Sequence, residues 1–347
     1  LTPFDVVWKT LLPGWNAITS LSVDGKQSRL ALMSGEPARL WLEKANTSQG
    51  SPIHQIVFRG KDKTGQLKLR YAYLRWNESA VAFEETVMYP NPFTVSGGEA
   101  GQDWVYEEET HTLRILTNQV TAISGGAGLD ANQTPFSGRL ALADGIGPVE
   151  LTLDGVICQV TEGGAFTLGR ENEVTLLLRS GTRNHFQSGD GWAGISLGEG
   201  TSLSIDCPET RSSTRNPAGT LSASGGAGGA GIGRDSGGGR EQTGRIVIRG
   251  GAVTALGTAG GAGIGAGKRS AIGTLDILGG TVSATGAHGG GAGIGGALGG
   301  TAGDIRIRGG SITAQAAGHA AAIGAGVQGS CGDIFISGAA KIQKALG

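Results

Sequence analysis

Along residues 245–338, short runs of alternating apolar and polar positions return at a constant interval. Arg245-Ile246-Val247-Ile248-Arg249-Gly250-Gly251 is followed by Thr274-Leu275-Asp276-Ile277-Leu278-Gly279-Gly280, Asp304-Ile305-Arg306-Ile307-Arg308-Gly309-Gly310 and Asp333-Ile334-Phe335-Ile336-Ser337-Gly338, at spacings of 29, 30 and 29 residues. Two companion runs travel with them: Val253-Thr254-Ala255, Val282-Ser283-Ala284 and Ile312-Thr313-Ala314, then Gly-Ala-Gly-Ile-Gly around Ile232, Ile264 and Ile294, with a looser copy at Ile323. Alternation with period two marks strands, and a fixed period in this size range marks a solenoid. Three short strands per repeat leave too little chain for two helices. The pattern therefore predicts an all-β, right-handed parallel β-helix. Each strand lies on its equivalent in the next coil about 4.8 Å away. Ile246 and Ile248 face inward with Leu275/Ile277, Ile305/Ile307 and Ile334/Ile336 stacked above them, while Arg245, Val247 and Arg249 face outward.

Weaker copies of the first strand extend the pattern backwards, at 112–115, 149–156, 173–178 and 202–206, giving about seven to eight coils over residues 96–347. The interval from Leu203 to Ile246 is 43 residues, so a loop of roughly a dozen residues around 207–218 is expected to protrude.

The pattern changes before residue 95. Apolar residues at 4, 7, 8, 11 and 12 fit one helical face, closed by Pro13-Gly14. Alternating runs at 29–33, 39–44, 54–59, 67–76 and 80–89 then read as strands of a small antiparallel sheet or sandwich. The junction is expected across 90–101, where prolines and glycines cluster. This divides the chain into a β-rich domain over 1–95 and the solenoid over 96–347.

Composition sharpens the division. Of the 18 aromatic residues 13 lie in residues 1–106, whereas 41 of the 66 glycines lie in 219–347. Glycine at nearly a fifth of the chain rules out a mainly helical fold, and ten prolines without a Gly-X-Y period rule out collagen. A formal charge of −1 argues against a nucleic-acid partner. No apolar run approaches a membrane span, and the first residues carry no basic leader, although a signal or wall anchor outside this stretch remains compatible. The three cysteines, Cys158, Cys207 and Cys331, form neither a disulfide framework nor a CxxC metal motif.

The stretch Trp104-Val105-Tyr106-Glu107 to Ile115, the run 149–156, and the repeated Gly-Gly-Ala-Gly-Ile-Gly with Ile-x-Ile-x-Gly-Gly-x-Val-Thr-Ala resemble glycine-rich parallel β-helix regions of bacterial surface proteins. Such regions are common in Gram-positive gut bacteria and often labelled carbohydrate-binding-domain-containing. The resemblance covers about residues 103–347 and rests on wall-building residues. It implies a secreted or wall-attached protein that binds polysaccharide or host glycans without catalysis. The chain is expected to act as a monomer, with no membrane insertion and no cofactor.

Chemistry is expected on outward positions. Arg249 and Arg308, two coils apart with Leu278 between them, form a row about 10 Å long suited to carboxylates or sulfates of an acidic glycan, or serve simply as solubilising charge. Asp276 and Arg306 fall at one position of adjacent coils and are expected to pair. Trp192, beside Asp190, offers an indole for stacking on a sugar, or a packed ring beside a turn aspartate. If the chain were instead a polysaccharide lyase or glycoside hydrolase, Asp154, Asp190 and Asp206 are the candidate carboxylates, with calcium the one ion such a site would take. Asp304 and Asp333 open their strands after glycine and read as turn residues. His288 and His319 occupy the same turn of adjacent coils, too few ligands for a metal site. A third reading is a passive stalk displaying the first domain.

Overall fold

A computed structural model of the chain describes residues 2–6, 15–24, 26–27, 38–42, 53–77, 81–86 and 90–346, apart from 109, 131–133, 209–216 and 240–243. By its contacts the chain divides into two units, 1–90 with 129–135, and 91–128 with 136–347.

In the first unit the alternating runs pair as an antiparallel sheet. Trp15–Val23, Ile53–Asp62, Leu67–Asn77 and Ala82–Thr86 lie side by side in that order, with Lys26–Gln27 on the outer edge of the first. One face of the sheet buries Leu21, Ile56, Phe58, Ala72, Leu74, Trp76 and Phe83, with Leu42 in the same cluster. The helix expected over 4–12 is not what its first part forms: Thr2–Val6 is a strand, antiparallel to Ala38–Leu42. Strand pairing overrides a helical apolar pattern this short. Residues 7–12, and the strand expected over 29–33, lie outside the described residues.

The second unit is a solenoid of about seven turns whose strands stack in parallel, as the repeat predicts. On the first sheet the inner positions form two columns: Val149, Val174, Leu203, Ile246, Leu275, Ile305 and Ile334, and Leu151, Leu176, Ile205, Ile248, Ile277, Ile307 and Ile336. On the third sheet the column runs Leu113, Leu140, Phe166, Ile195, Ile232, Ile264, Ile294 and Ile323. The second sheet supplies a narrow column of Ala223, Ala255, Ala284 and Ala314, below which the same position holds Phe186 and Cys158. Phe166 and Phe186 meet with ring centroids 5.2 Å apart. The early coils thus fill their interior with aromatic rings and the later ones with Ile and Ala, which is why the glycine-rich repeat is legible only in the later coils.

The glycine pair at the first corner divides its labour. Gly251 takes a φ of 84°, a conformation open to glycine, while its neighbour Gly250 does not. In the next coil, the first glycine of the pair, Gly279, would place a Cβ 2.4 Å from the Arg249 carbonyl, so close stacking and not φ demands glycine there.

Three placements differ from the sequence reading. Residues 112–115 sit on the third sheet, not the first, parallel to Arg139–Leu142. The strand of 149–156 is longer and turns the corner between the first and second sheets, so Pro148–Gln159 contributes to both. Phe93–Ser96, placed before or across the expected boundary, pairs antiparallel with Ala122–Gly125 in the second unit, and Trp104–Glu107 pairs antiparallel with Thr112–Ile115. Both antiparallel strands sit at the start of the stack, where they satisfy edges that no earlier coil covers. Most of the loop expected over 207–218 lies outside the described residues.

Candidate functional site

The outward ion pairs do not follow the simplest ladder. Asp276 does lie level with Arg306. Its Oδ2 instead accepts from Arg245, 2.8 Å from Nε and 2.7 Å from Nη2, whereas Arg306 Nη2 turns back 2.7 Å to Asp304. Asp276 is 1% exposed, and a buried carboxylate takes the guanidinium able to present two donors. Asp304 also receives the Asp333 N–H at 3.1 Å, fastening one strand entry to the next.

The three candidate acids do not converge. Asp154 lies 3.0 Å from Arg179 Nε. Asp206 is nearly buried, with Oδ1 accepting the Cys207 N–H at 2.7 Å. The expected equivalence of Asp154 and Asp206 also fails by register: Asp206 is level with Leu177, and Leu177 with Thr152, two residues short of Asp154. Asp190 stands in the turn beyond the second sheet. The strand Arg183–Gln187 alone puts some 16 Å between that turn and the first corner. Its Oδ1 accepts the Ala227 N–H of the next coil at 3.0 Å. Each of the three thus has a local partner that accounts for it. Among the described residues no group of three or more His, Cys, Asp and Glu is placed to hold a metal ion.

Trp192 is different. The indole is 39% exposed and rests against the preceding coil, where a Cβ on Gly164 would lie 3.1 Å from its Cε3. One side of the ring is therefore backed, and the residue lines a groove of about 580 Å³. That groove runs up the stack past the third sheet, bounded by Asp144, Arg170, Glu199, Arg234 and Asp235 besides the tryptophan. Its volume is in the range of small-ligand sites.

Register explains how these charges meet. Leu140, Phe166 and Ile195 are stacked partners, and Asp144, Arg170 and Glu199 each follow four residues later, so signs alternate coil by coil at the rim. Arg234 and Asp235 come from the coil above and reach down. Arg234 Nη1 donates to the Leu197 carbonyl at 2.8 Å and Nη2 to Gly238. Asp235 accepts the Ala193 N–H on Oδ1 and the Ser196 hydroxyl on Oδ2, both at 2.7 Å. Burial pushes the Asp235 carboxyl above the usual carboxylate range, opposed by those two hydrogen bonds and by Arg234. Burial likewise pulls the Arg234 guanidinium down. Both Asp235 oxygens are already engaged in tying coils together, so its part in the groove is to hold the wall that carries Trp192.

The chain matches no family model, no curated protein and no solved structure.

Of the residues singled out from sequence, Trp192 borders this groove, and Arg249 borders a second one on the first sheet. Arg249 Nε donates to Ser204 Oγ at 3.2 Å. Arg308 follows the same column two coils further, since Leu278 N–H bonds to Ile248 and Arg308 N–H to Ile277. The sequence reading missed Arg234, Asp235 and the Asp144, Arg170, Glu199 rim. A signal was present: Ile232-Gly233 is followed by Arg234-Asp235 where the later copies read Ala266-Gly267, Gly296-Ala297 and Ala325-Gly326. A charged pair breaking a small-residue repeat marks a coil with extra work.

Proposed function

We propose that the protein is a non-catalytic glycan-binding module, in the secreted or surface-exposed setting that its glycine-rich repeats suggest. The observation that carries this reading is Trp192: a half-open indole, backed by Gly164 and bordering a groove rimmed by Asp144, Arg170 and Glu199. A sugar ring stacks its C–H face on such an indole, and the rim charges take its hydroxyls as donors and acceptors. The carboxylates nearby support binding over cleavage, because Asp235 is occupied and Asp144 Oδ1 already accepts the Arg170 N–H at 2.8 Å.

The test is a glycan array with and without calcium, followed by titration of any hit and analysis of the glycan for shortened products. Retained binding without cleavage, weakened at least tenfold in Trp192→Ala with unchanged circular dichroism, is the expected result. Shortened chains would overturn the non-catalytic reading, and a Trp192→Ala protein that binds as well as the parent would remove the groove from it.

A further inference from the structure

A second groove, of about 410 Å³, opens on the outer surface of the first sheet. It is built from three successive coils whose outward residues differ in size and sign. The lower coil presents Glu171 and Glu173, the middle coil Ser202 and Ser204, and the upper coil Arg245 and Arg249. Register places Glu173 level with Ser202, and Ser202 level with Arg245. The two serines are short, so they form a floor between taller neighbours. Glu173 and Arg245 thus stand two coils apart at one position, about 10 Å, while Arg249 lies four residues further along its strand and leans back over the middle coil to Ser204.

The Arg245 side of the basic wall is held from the coil above it. Asp276 carries a fully buried side chain, and its Oδ2 accepts both Nε and Nη2 of Arg245, leaving Nη1 for the groove. A guanidinium fixed by a buried carboxylate loses little freedom when it takes up a second anion. Arg249 is steadied on the floor through Ser204. Nothing neutralises the acidic wall in the same way: neither Glu171 nor Glu173 takes part in an ion pair among the described residues.

We propose that this groove binds a short zwitterionic ligand, a peptide of about three residues with free ends, its ammonium group at Glu171 and Glu173 and its carboxylate at Arg245 and Arg249. An extended chain covers at most some 3.3–3.6 Å per residue, so three residues match the separation of the walls. The serine floor offers hydroxyls to the peptide groups between them. The proposal is independent of glycan binding at Trp192, although the two grooves meet along the ridge of Arg170-Glu171 and Glu199-Gly200.

The probe is triglycine, titrated calorimetrically into the full chain in low salt, against two blocked forms: N-acetyl-triglycine, which keeps only the carboxylate, and triglycine amide, which keeps only the ammonium. Triglycine is expected to bind, and each blocked form at least tenfold more weakly. Arg249→Gln should weaken triglycine tenfold while leaving the affinity for triglycine amide unchanged, and Glu173→Gln should do the reverse with N-acetyl-triglycine as the insensitive probe. Both residues are exposed, so the variants should fold, checked by circular dichroism. No binding of triglycine, equal binding of all three peptides, or equal loss of every probe in both variants would overturn the proposal. Ser204→Leu, which fills the floor without changing charge, should abolish binding of all three, and unchanged affinity in that variant would place the ligand elsewhere.

Discussion

Gly261→Ala separates two reasons for glycine in this fold. A Cβ at Gly261 would sit 2.0 Å from the Gly229 carbonyl oxygen of the coil below, and the φ of Gly261 is not in the left-handed region. Ordinary contact begins near 3.4 Å, so the coils must part locally by about 1.4 Å. Two cross-coil hydrogen bonds flank that contact, Gly228 N–H to Thr258 at 2.8 Å and Gly231 N–H to Ala262 at 3.0 Å. Parting by that amount stretches both past 4 Å, beyond hydrogen-bond reach. Each loss costs roughly 1–1.5 kcal/mol, and more where the groups stay buried, giving about 3 kcal/mol or above. Gly237→Ala is the matched control: its φ is 69° with nothing within 4 Å of the new methyl, so only the left-handed backbone matters, about 1 kcal/mol. Urea denaturation followed by circular dichroism gives the two midpoints. Hydrogen exchange at residues 228–233 then reports whether the loss is local, as expected for a stack in which each coil contacts its neighbours. If Gly261→Ala is no more destabilising than Gly237→Ala, close coil stacking is not what the glycines of this column serve.

Other outcomes follow from buried groups. Phe166→Ala removes a fully buried ring paired with Phe186 and should cost about 3–5 kcal/mol, read as a lowered denaturation midpoint. Asp235 has its folded pKa raised by burial, so its contribution to stability is present below the unfolded value and fades as pH rises through the folded one. Asp235→Asn should therefore gain on the parent as pH rises above the unfolded carboxylate value, in paired thermal melts. Asp103 has the opposite sign: hydrogen bonds from the Thr117 hydroxyl and the Glu99 N–H hold its pKa low. The stability it adds above the unfolded value is lost as pH falls, and Asp103→Asn should flatten the acid limb of the same profile. Cys158 and Cys207 are buried while Cys331 is partly open, so a thiol reagent should label Cys331 first in the folded protein and all three in denaturant. Equal labelling of Cys158 and Cys331 under native conditions would contradict the buried placement of Cys158.

The sequence by itself determined the coil. The spacing of Ile246, Leu275, Ile305 and Ile334, the strand period and the Gly-Gly corners specify stacked parallel strands, because a strand alternates faces with period two whatever surrounds it, and a repeat must bury its apolar face on its neighbour. Register then put Arg249 and Arg308 in one column without any coordinates. What only the tertiary structure decided is which residues from coils 25 to 40 positions apart share a surface. Asp144, Arg170 and Glu199 meet at one groove because the third-sheet register stacks Leu140, Phe166 and Ile195 four residues before them, and Arg234 and Asp235 join them by reaching down to the 193–197 segment, pairings that the apolar positions of these degenerate coils do not spell out. The Asp276 partner was decided in the same way. Its level neighbours are Val247 and Arg306, with Arg245 two residues along the strand from Val247, and the choice fell to the diagonal guanidinium that reaches the buried oxygen with two donors, a matter of side-chain reach and burial. The short apolar run at 4–12 shows the limit from the other side: its helical spacing was real, but a strand partner at Ala38–Leu42 pairs with Thr2–Val6 along its whole length, and pairing prevailed over periodicity there.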